Sequence, residues 1–455
     1  MAGAPSLQQT PSQLEPTGAL PPRLLLWLVP CGLLMGLAML PLQAFSAAGF
    51  ALQAQWHRGL PGLVDPLLPV VVFCGTLTLL AMAWGPLAAG RGAGLIGVEQ
   101  LQRPHLEPGE SDRLEAGLGW RIQLARLPLL LLTHLAGLAV GIETPAASMG
   151  ATTFLALRRR IHLLQHLPLS LAAAVGAGAG FGAAFRSPLL GVTYALESLS
   201  LQRGLPLVLP TLLLGGIGAL VTTDLGEPAR VPQLLTGALP TILLPWAILL
   251  TLLSALVGVA FLKLLLLVSP QVQRLLDRRF LPTAFLLAVL LTGLAHFSGG
   301  ISLNDGSLEL GPALAGRPEA PRWAALPRLI SPLLAMASGA PGGLMHDCMS
   351  LGAVFAAPLV RRLPVDQQAM LIAIAATAVF SAACRTPLVA AVFVSILQNN
   401  AQLLPLLLLH SALAAAVGAA IGGPSWQEQE AQLLSLKPLV EEPHDQGALR
   451  QTEAG

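Results

Sequence analysis

Apolar tracts of bilayer-spanning length recur along this chain and leave few folds open to it. A helix needs about 20 apolar residues to cross the hydrocarbon core of a membrane. Tracts of this kind lie at 24–46, 66–90, 121–140, 205–222, 238–268 and 280–298. Only 11% of the 455 residues are charged, whereas a soluble domain carries about 25%. The sequence therefore predicts an all-α polytopic membrane protein.

Charge says little about partners but indicates topology. A net charge of +2 gives no reason to expect a nucleic-acid partner. Arg23 precedes the first tract, and several arginines follow the second, so the positive-inside rule places the N-terminus in the cytoplasm. The polar segments 1–21 and 441–455 are predicted to be disordered tails, the first of them cytoplasmic.

Glu143 is a carboxylate within the hydrophobic part of the chain. A charged side chain at the bilayer centre costs roughly 2.5 to 3.5 kcal/mol, so such a residue is a functional candidate. The surrounding Gly141-Ile142-Glu143-Thr144-Pro145 predicts that one helix ends here and another begins. The first N–H groups of a helix lack intrahelical partners and favour negative charge. Glu143 is either a side chain that competes with an anion for these donors, or a helix cap without a transport role.

Two motifs occur twice in the same order. Ala183-Ala184-Phe185-Arg186-Ser187-Pro188-Leu189 returns as Ala382-Ala383-Cys384-Arg385-Thr386-Pro387-Leu388, 199 positions later. Gly141–Pro145 has a counterpart in Gly343-Leu344-Met345-His346-Asp347, 202 positions later. A repeat at nearly constant offset indicates two homologous halves.

The halves are predicted to be a transmembrane repeat at 22–225, a linker at 226–234 and a second transmembrane repeat at 235–440. Interruptions rich in Gly and Pro lie at 90–97, 141–145, 339–347 and 422–425. Interruptions at matching places in two repeats point to a transporter with a site near the membrane midplane. If each begins a half-helix and these starts converge, their N–H groups form a site for a dehydrated anion.

These segments resemble the CLC family of chloride channels and proton-coupled anion antiporters, over about 92–426. The family's Gly-Ser-Gly-Ile-Pro signature is matched by Gly92-Ala93-Gly94-Leu95-Ile96, with Glu99 in the acidic position that follows. Gly-Arg/Lys-Glu-Gly-Pro is matched by Gly141–Pro145, and Gly-x-Phe-x-Pro by Gly343–Asp347. Ala183–Glu197 is similar to the family's Ala-Ala-x-x-x-Pro-Leu-x-Gly segment, which ends in acidic residues.

The resemblance implies two inverted-topology repeats with broken and re-entrant half-helices, a homodimer, and a gating role for Glu143. It implies anion-binding positions at Gly92, Ala93, Gly94, Leu344, Met345 and Trp426. Chloride or a similar small inorganic anion is the expected ligand, with protons as a second one and no cofactor or metal. The very low lysine count and the richness in Ala, Leu and Arg indicate a bacterial source, so the expected location is a bacterial inner membrane.

Several positions depart from the family pattern. Ala93 stands where the family has an anion-coordinating serine, and Met345 where it has a phenylalanine. Trp426 replaces the coordinating tyrosine, and the single tyrosine, Tyr194, lies elsewhere in the sequence. Trp426 still offers an N–H donor.

The expected proton path is altered as well. The antiporters carry two adjacent acids at the inner side, matched here by Glu197 and Ser198, and a serine hydroxyl holds its proton at ordinary pH. His346 and Asp347 occupy the second-half counterpart of the Glu143 motif. Because histidine titrates near neutral pH, they are candidates to tune anion entry, or they form a structural pair that caps the helix.

The sequence leaves three alternatives to a chloride channel or antiporter open. Fluoride-exporting relatives also lack the serine of the first signature. A scaffold or sensor that has lost its ion contacts would explain Ala93, Met345 and Trp426 together. An intramembrane enzyme using Glu143, His346 and Asp347 is disfavoured, because the chain has no His-Glu-x-x-His or Gly-x-Ser-x-Gly motif.

Overall fold

The structure is a computed structural model that describes residues 22–58, 67–103, 106, 109–199, 203–226, 239–318 and 320–423. Within these ranges the chain is helical and forms no β-strand. The predicted tails lie outside the described residues, as does nearly all of the predicted linker. The all-α prediction is confirmed.

The described part of the first half forms nine α-helices. They are α1 (Pro22–Arg58), α2 (Leu67–Ala83), α3 (Ile96–Gln100), α4 (Glu110–Gly117), α5 (Trp120–Leu135), α6 (Glu143–Arg160), α7 (Leu169–Ala184), α8 (Pro188–Tyr194) and α9 (Leu205–Leu225). A π-helical turn, Ala195–Leu199, continues α8. Short 3-10 turns lie at Ala88–Gly90 and His162–His166.

Eight α-helices follow in the described part of the second half. They are α10 (Leu244–Arg278), α11 (Phe280–Phe297), α12 (Ser307–Leu314), α13 (Ala325–Ala337), α14 (Met345–Val360), α15 (Val365–Cys384), α16 (Pro387–Leu397) and α17 (Leu404–Ile421). The 3-10 turns Thr241–Leu243 and Ala401–Leu403 lead into α10 and α17.

Six helical segments of the described chain are long and apolar enough to cross a membrane. They are Arg23–Gly49, Leu205–Leu225, Thr241–Arg278, Phe280–Phe297, Val365–Cys384 and Ala401–Ile421. Four of the predicted tracts coincide with these spans. The tracts at 66–90 and 121–140 instead form the shorter helices α2 and α5, and α2 stops at Ala83 because Gly85-Pro86 follows. The protein is a multi-pass membrane protein, as predicted.

The two halves repeat the same packing. In the first half, α7 packs against α6, α8 and α9, and α1 packs against α9. In the second half, α15 packs against α14, α16 and α17, and α10 packs against α17. Arg186 and Arg385, at equivalent positions of the repeated motif, both have positive φ, 55° and 57°. The helix order, the contacts and this backbone turn therefore all recur.

The repeats are inverted relative to each other. Gly141 and Gly343, which are equivalent positions of the two motifs, pair in an antiparallel backbone bridge. Equivalent segments that run antiparallel are related by a two-fold axis, as inverted-topology repeats require. The fold class is confirmed, while the boundaries 22–225 and 235–440 stay a prediction.

Small residues let α6 and α7 approach closely. A Cβ atom at Gly150 on α6 would collide with the backbone of Gly176 and Gly180 on α7. In a membrane such small-residue faces replace the hydrophobic effect as the basis of helix association. The glycine-rich face of α7 thus fixes α6, and with it the position of Glu143.

Candidate functional site

The broken segments of the two halves are joined by backbone hydrogen bonds. The Gly141 N–H donates to the Gly343 carbonyl at 3.0 Å, and the Gly343 N–H donates to the Gly141 carbonyl at 2.8 Å. The Gly92 N–H donates to the Gly339 carbonyl at 3.2 Å. Helices α6 and α14 each begin two residues beyond their bridging glycine. Three of the four predicted interruptions therefore converge, and only the first two residues of the fourth, 422 and 423, belong to the described residues.

Glu143 is the first residue of α6 and is fully buried. Its Oε1 accepts the backbone N–H of His346 at 2.9 Å and lies 2.5 Å from His346 Nδ1. The carboxylate of the first half thus occupies the N-terminus of α14, a helix of the second half. Unpaired N–H groups and the helix dipole favour a negative charge at this place.

The glycines of the bridge leave room for that carboxylate. A Cβ atom at Gly141 would overlap both carboxylate oxygens of Glu143. We expect Gly141→Ala to expel the Glu143 side chain from the N-terminus of α14. Overpacking of this kind typically costs about 1–3 kcal/mol.

The expected result for Gly141→Ala is a lower melting temperature together with anion flux that no longer depends on pH, measured in reconstituted vesicles. Gly117→Ala is the matched control, because a Cβ atom there meets nothing within 4 Å. A Gly141→Ala protein with the pH dependence of the wild type would contradict the geometry described for Glu143.

A cavity of about 40 Å³ lies beside these helix starts. A single buried water needs roughly 10–15 Å³, so the cavity has room for a small ion. Ala93, Leu344 and Met345, three of the predicted anion-binding residues, line it. Gly92 and Gly94 flank Ala93, both with positive φ. Trp426, the remaining predicted residue, lies outside the described residues.

The cavity also has polar lining that the sequence reasoning missed. Tyr194, Cys384 and Thr386 contribute to the wall, from the ends of α8, α15 and the turn before α16. Glu99 of α3, which the sequence matches only to an acidic signature position, lines it as well. Tyr194 is distant in sequence from the position where the family carries its tyrosine, yet it reaches the same cavity.

A buried arginine, Arg126, packs against Gly94 of the first signature segment. A Cβ atom at Gly94 would overlap the guanidinium group of Arg126, which is on α5. Arg126 donates to Gln123 Oε1 and to Ser148 Oγ, both at 2.8 Å. Within the described chain it takes part in no ion pair. Its positive charge therefore lacks a paired carboxylate, and Gly94, against which the guanidinium lies, directly follows Ala93 of the cavity wall.

His346 and Asp347, adjacent in sequence, have different partners. His346 contacts Glu143, whereas Asp347 Oδ1 lies 3.7 Å from Arg328 Nη1. Arg328 is fully buried and also donates to the carbonyls of Asn304 and Leu303, at 2.6 and 2.7 Å. The first turn of α14 thus directs the two side chains to different helices, and their part in tuning anion entry stays a prediction.

Glu197 and Ser198 lie in the π-helical turn after α8. The Glu197 carboxylate accepts the backbone N–H groups of Leu388 and Val389, at 2.9 and 2.8 Å. These are the first free donors of α16, so Glu197 caps a helix of the other half. The Ser198 hydroxyl is buried and has no hydrogen-bond partner among the described residues. The place of Glu197 and Ser198 in a proton path stays a prediction.

Inverted repeats, interrupted helix starts and a buried carboxylate at a backbone anion site define an ion-transport membrane protein. The chain belongs to the family described as voltage gated chloride channel, whose model matches residues 79–419. The resemblance inferred from the motifs is thereby confirmed. Among the described residues, no group of three or more His, Cys, Asp or Glu side chains is arranged to hold a metal ion.

Known relatives extend this result. The H(+)/Cl(-) exchange transporter ClcA of Vibrio parahaemolyticus is 25% identical over 405 residues, which cover 82% of this chain and 81% of that protein. A slow cyanobacterial Cl-/H+ antiporter superimposes with a TM-score of 0.72 at 20% identity, over 92% of this chain and 100% of that one.

Two further solved structures share the fold. A CLC-type fluoride/proton antiporter matches with a TM-score of 0.66 at 22% identity, covering 88% of this chain and 95% of that chain. A eukaryotic CLC transporter matches with a TM-score of 0.68 at 19% identity, covering 90% of this chain and 74% of that chain.

Proposed function

We propose that this protein moves chloride or a similar small anion across a bacterial inner membrane, through a pathway that Glu143 closes. The observation that carries the proposal is the Glu143 carboxylate bound at the N-terminus of α14, beside a cavity large enough for an ion. Family membership supports it, as does a relative whose name states H+/Cl− exchange.

Glu143 acts as a tethered anion in this mechanism. While ionised, it occupies the backbone donor that a free anion would use. Protonation removes the charge, weakens the bond to the His346 N–H and lets the side chain leave, so that an anion takes its place. Anion binding and proton binding at one position are then mutually dependent, which is the basis of exchange.

The remaining contacts with the anion are assigned by position. We assign these contacts to the backbone groups of Gly92, Ala93, Gly94, Leu344 and Met345, and to Trp426, which lies outside the described residues. Each subunit of a homodimer contains one such pathway, built from the repeats 22–225 and 235–440. Ala93 has no hydroxyl, so backbone donors and the nearby charge of Arg126 carry most of the attraction.

Arg126→Gln is expected to weaken anion binding. Unit charges about 8 Å apart interact by about 2 kcal/mol at an effective dielectric constant of 20, so the loss of this charge should raise the Kd about tenfold to a hundredfold. Titration calorimetry with chloride measures the change. Arg103→Gln, at an exposed position, is the control with the same loss of charge. Equal chloride affinity in both variants would remove Arg126 from the site.

Fluoride is the second candidate ligand, favoured by the missing hydroxyl at Ala93 and by the structural likeness to a fluoride/proton antiporter. Purified protein in vesicles loaded with chloride, fluoride, bromide or nitrate separates the possibilities. We expect anion efflux above protein-free vesicles, with protons moving in the opposite direction. Folded protein that releases none of these anions would contradict the proposal and favour a scaffold or sensor.

A further inference from the structure

Glu143 and His346 form a buried pair in which only the imidazole has accessible surface. The side chain of Glu143 is 0% exposed and that of His346 is 9% exposed. His346 Nδ1 lies 2.5 Å from Glu143 Oε1. A proton that approaches the pair from accessible space therefore meets the imidazole before the carboxylate.

Two aromatic rings hold the imidazole in place. The His346 ring stacks on Phe185 with centroids 5.6 Å apart and planes inclined by 25°, and it meets Phe393 edge to face at 5.0 Å. Phe185 follows the last residue of α7 and is partly exposed, whereas Phe393 on α16 is buried. The rings fix the imidazole plane with Nδ1 toward the carboxylate, so Nε2 is the ring nitrogen left for proton exchange.

The charged groups around this pair come from several helices. The charges of Glu143 on α6, Asp347 on α14 and Asp305 before α12 act on the imidazole. His134, near the end of α5, interacts electrostatically with Glu143 and Asp305. Arg328 on α13 lies against Asp347, and the neighbours from α7 and α16 are the two phenylalanines. Buried ionisable groups of this kind mark proton relays in membrane proteins.

The residues predicted for the proton path are poorly suited to it. Glu197 is engaged by two backbone N–H groups of α16. Ser198 does not ionise at ordinary pH, whereas histidine gains and loses protons near neutral pH. Among the described residues, His346 is therefore the titratable side chain that has both a direct contact to Glu143 and accessible surface.

We propose that His346 is the proton port of Glu143, the group through which the gating carboxylate gains and loses its proton. This inference rests on the proposed function and adds a residue and a direction of proton entry to it. In the loading step, Nε2 of a neutral imidazole takes up one proton while Nδ1 passes its own proton to Glu143 Oε1. The imidazole ends neutral with its proton on Nε2, the carboxylate becomes a carboxylic acid, and the pair has gained one proton.

Two substitutions at His346 test the port. His346→Phe keeps an aromatic ring between Phe185 and Phe393 but has no titratable nitrogen, and His346→Gln keeps a hydrogen-bond donor without titrating near neutral pH. In vesicles with a chloride gradient, chloride efflux and internal pH are recorded together. We expect both variants to lose proton flux by about a hundredfold, the lower end of what a positioned acid–base group contributes, and chloride flux at neutral pH to fall with it, because the Glu143 side chain leaves only after it is protonated.

His162→Phe is the control, because His162 is an exposed histidine outside the site. His346→Ala adds chemical rescue: dissolved imidazole should restore proton flux, which a purely structural role for His346 would not allow. Proton flux at the wild-type level in His346→Phe and His346→Gln would overturn the proposal, and so would the absence of rescue in His346→Ala.

The outcomes also separate this inference from the proposed function. Wild-type protein that moves no anion defeats the proposed function itself. Wild-type protein that moves anions with neither proton flux nor pH dependence leaves anion transport standing and overturns only the proton port.

Discussion

Glu143→Gln should give anion flux that is faster than in the wild type at neutral pH and no longer depends on pH. The wild-type carboxylate accepts the His346 N–H as a charged group, worth about 1.5–3 kcal/mol, whereas a neutral amide in the same place contributes about 0.5–1.5 kcal/mol. A difference of about 1.4 kcal/mol corresponds to a tenfold faster release of the side chain. Because glutamine takes up no proton, coupled proton movement should stop.

Chloride efflux and internal pH, recorded on the same vesicles between pH 5 and pH 8, measure this effect. Glu115→Gln is the matched control, since Glu115 forms an ion pair with the exposed Arg159 at 2.7 Å, away from the cavity. The control should retain the wild-type pH profile. If Glu143→Gln also retains it, Glu143 is a helix cap and not a gate.

Arg328→Met is expected to cause the largest loss of stability. Arg328 is 0% exposed and holds Glu309 at 3.1 Å and Asp347 at 3.7 Å, besides two backbone carbonyls. Removing one member of a buried charge group leaves the others uncompensated, which typically costs about 3–5 kcal/mol. Thermal unfolding in detergent should show a clearly lower melting temperature and a smaller folded fraction after purification.

A double variant that also changes Asp347, a partner of Arg328, tests this explanation of the stability loss. In Arg328→Met with Asp347→Asn, one of the two uncompensated carboxylates is gone and Glu309 remains, so part of the lost stability should return. Arg159→Met removes an exposed arginine, with 53% of its side chain accessible, and should change stability by about 0–1 kcal/mol. Equal losses in Arg328→Met and Arg159→Met would contradict the buried-cluster account.

Local sequence rules predicted the helix starts and the repeat. Glycine and proline around Glu143 break the helix whatever the rest of the chain does, and the second copy of the motif behaves in the same way at Met345. Apolar length predicted four of the six spans. Their packing in two inverted halves follows from the repeated motifs and the family resemblance.

Contacts between the two halves could not be predicted from the sequence. His346 meets Glu143 across 203 residues, and Glu197 meets the start of α16 across 191 residues. Such contacts depend on the two-fold arrangement of the repeats, which leaves no periodic pattern in either segment. The sequence also did not predict that Tyr194 lines the cavity. Tyr194 reaches the cavity from α8 rather than from the position that the family motif suggests.

Bromide in crystals of Glu143→Gln tests the central claim most directly, because bromide is a chloride-like anion that anomalous scattering locates. If the carboxylate of Glu143 stands in for the transported ion, a bromide peak should lie within hydrogen-bond distance of the His346 backbone N–H, where Glu143 Oε1 lies at 2.9 Å in the wild type. Crystals with no bromide at the N-terminus of α14, and with the introduced glutamine side chain still occupying it, would contradict the account.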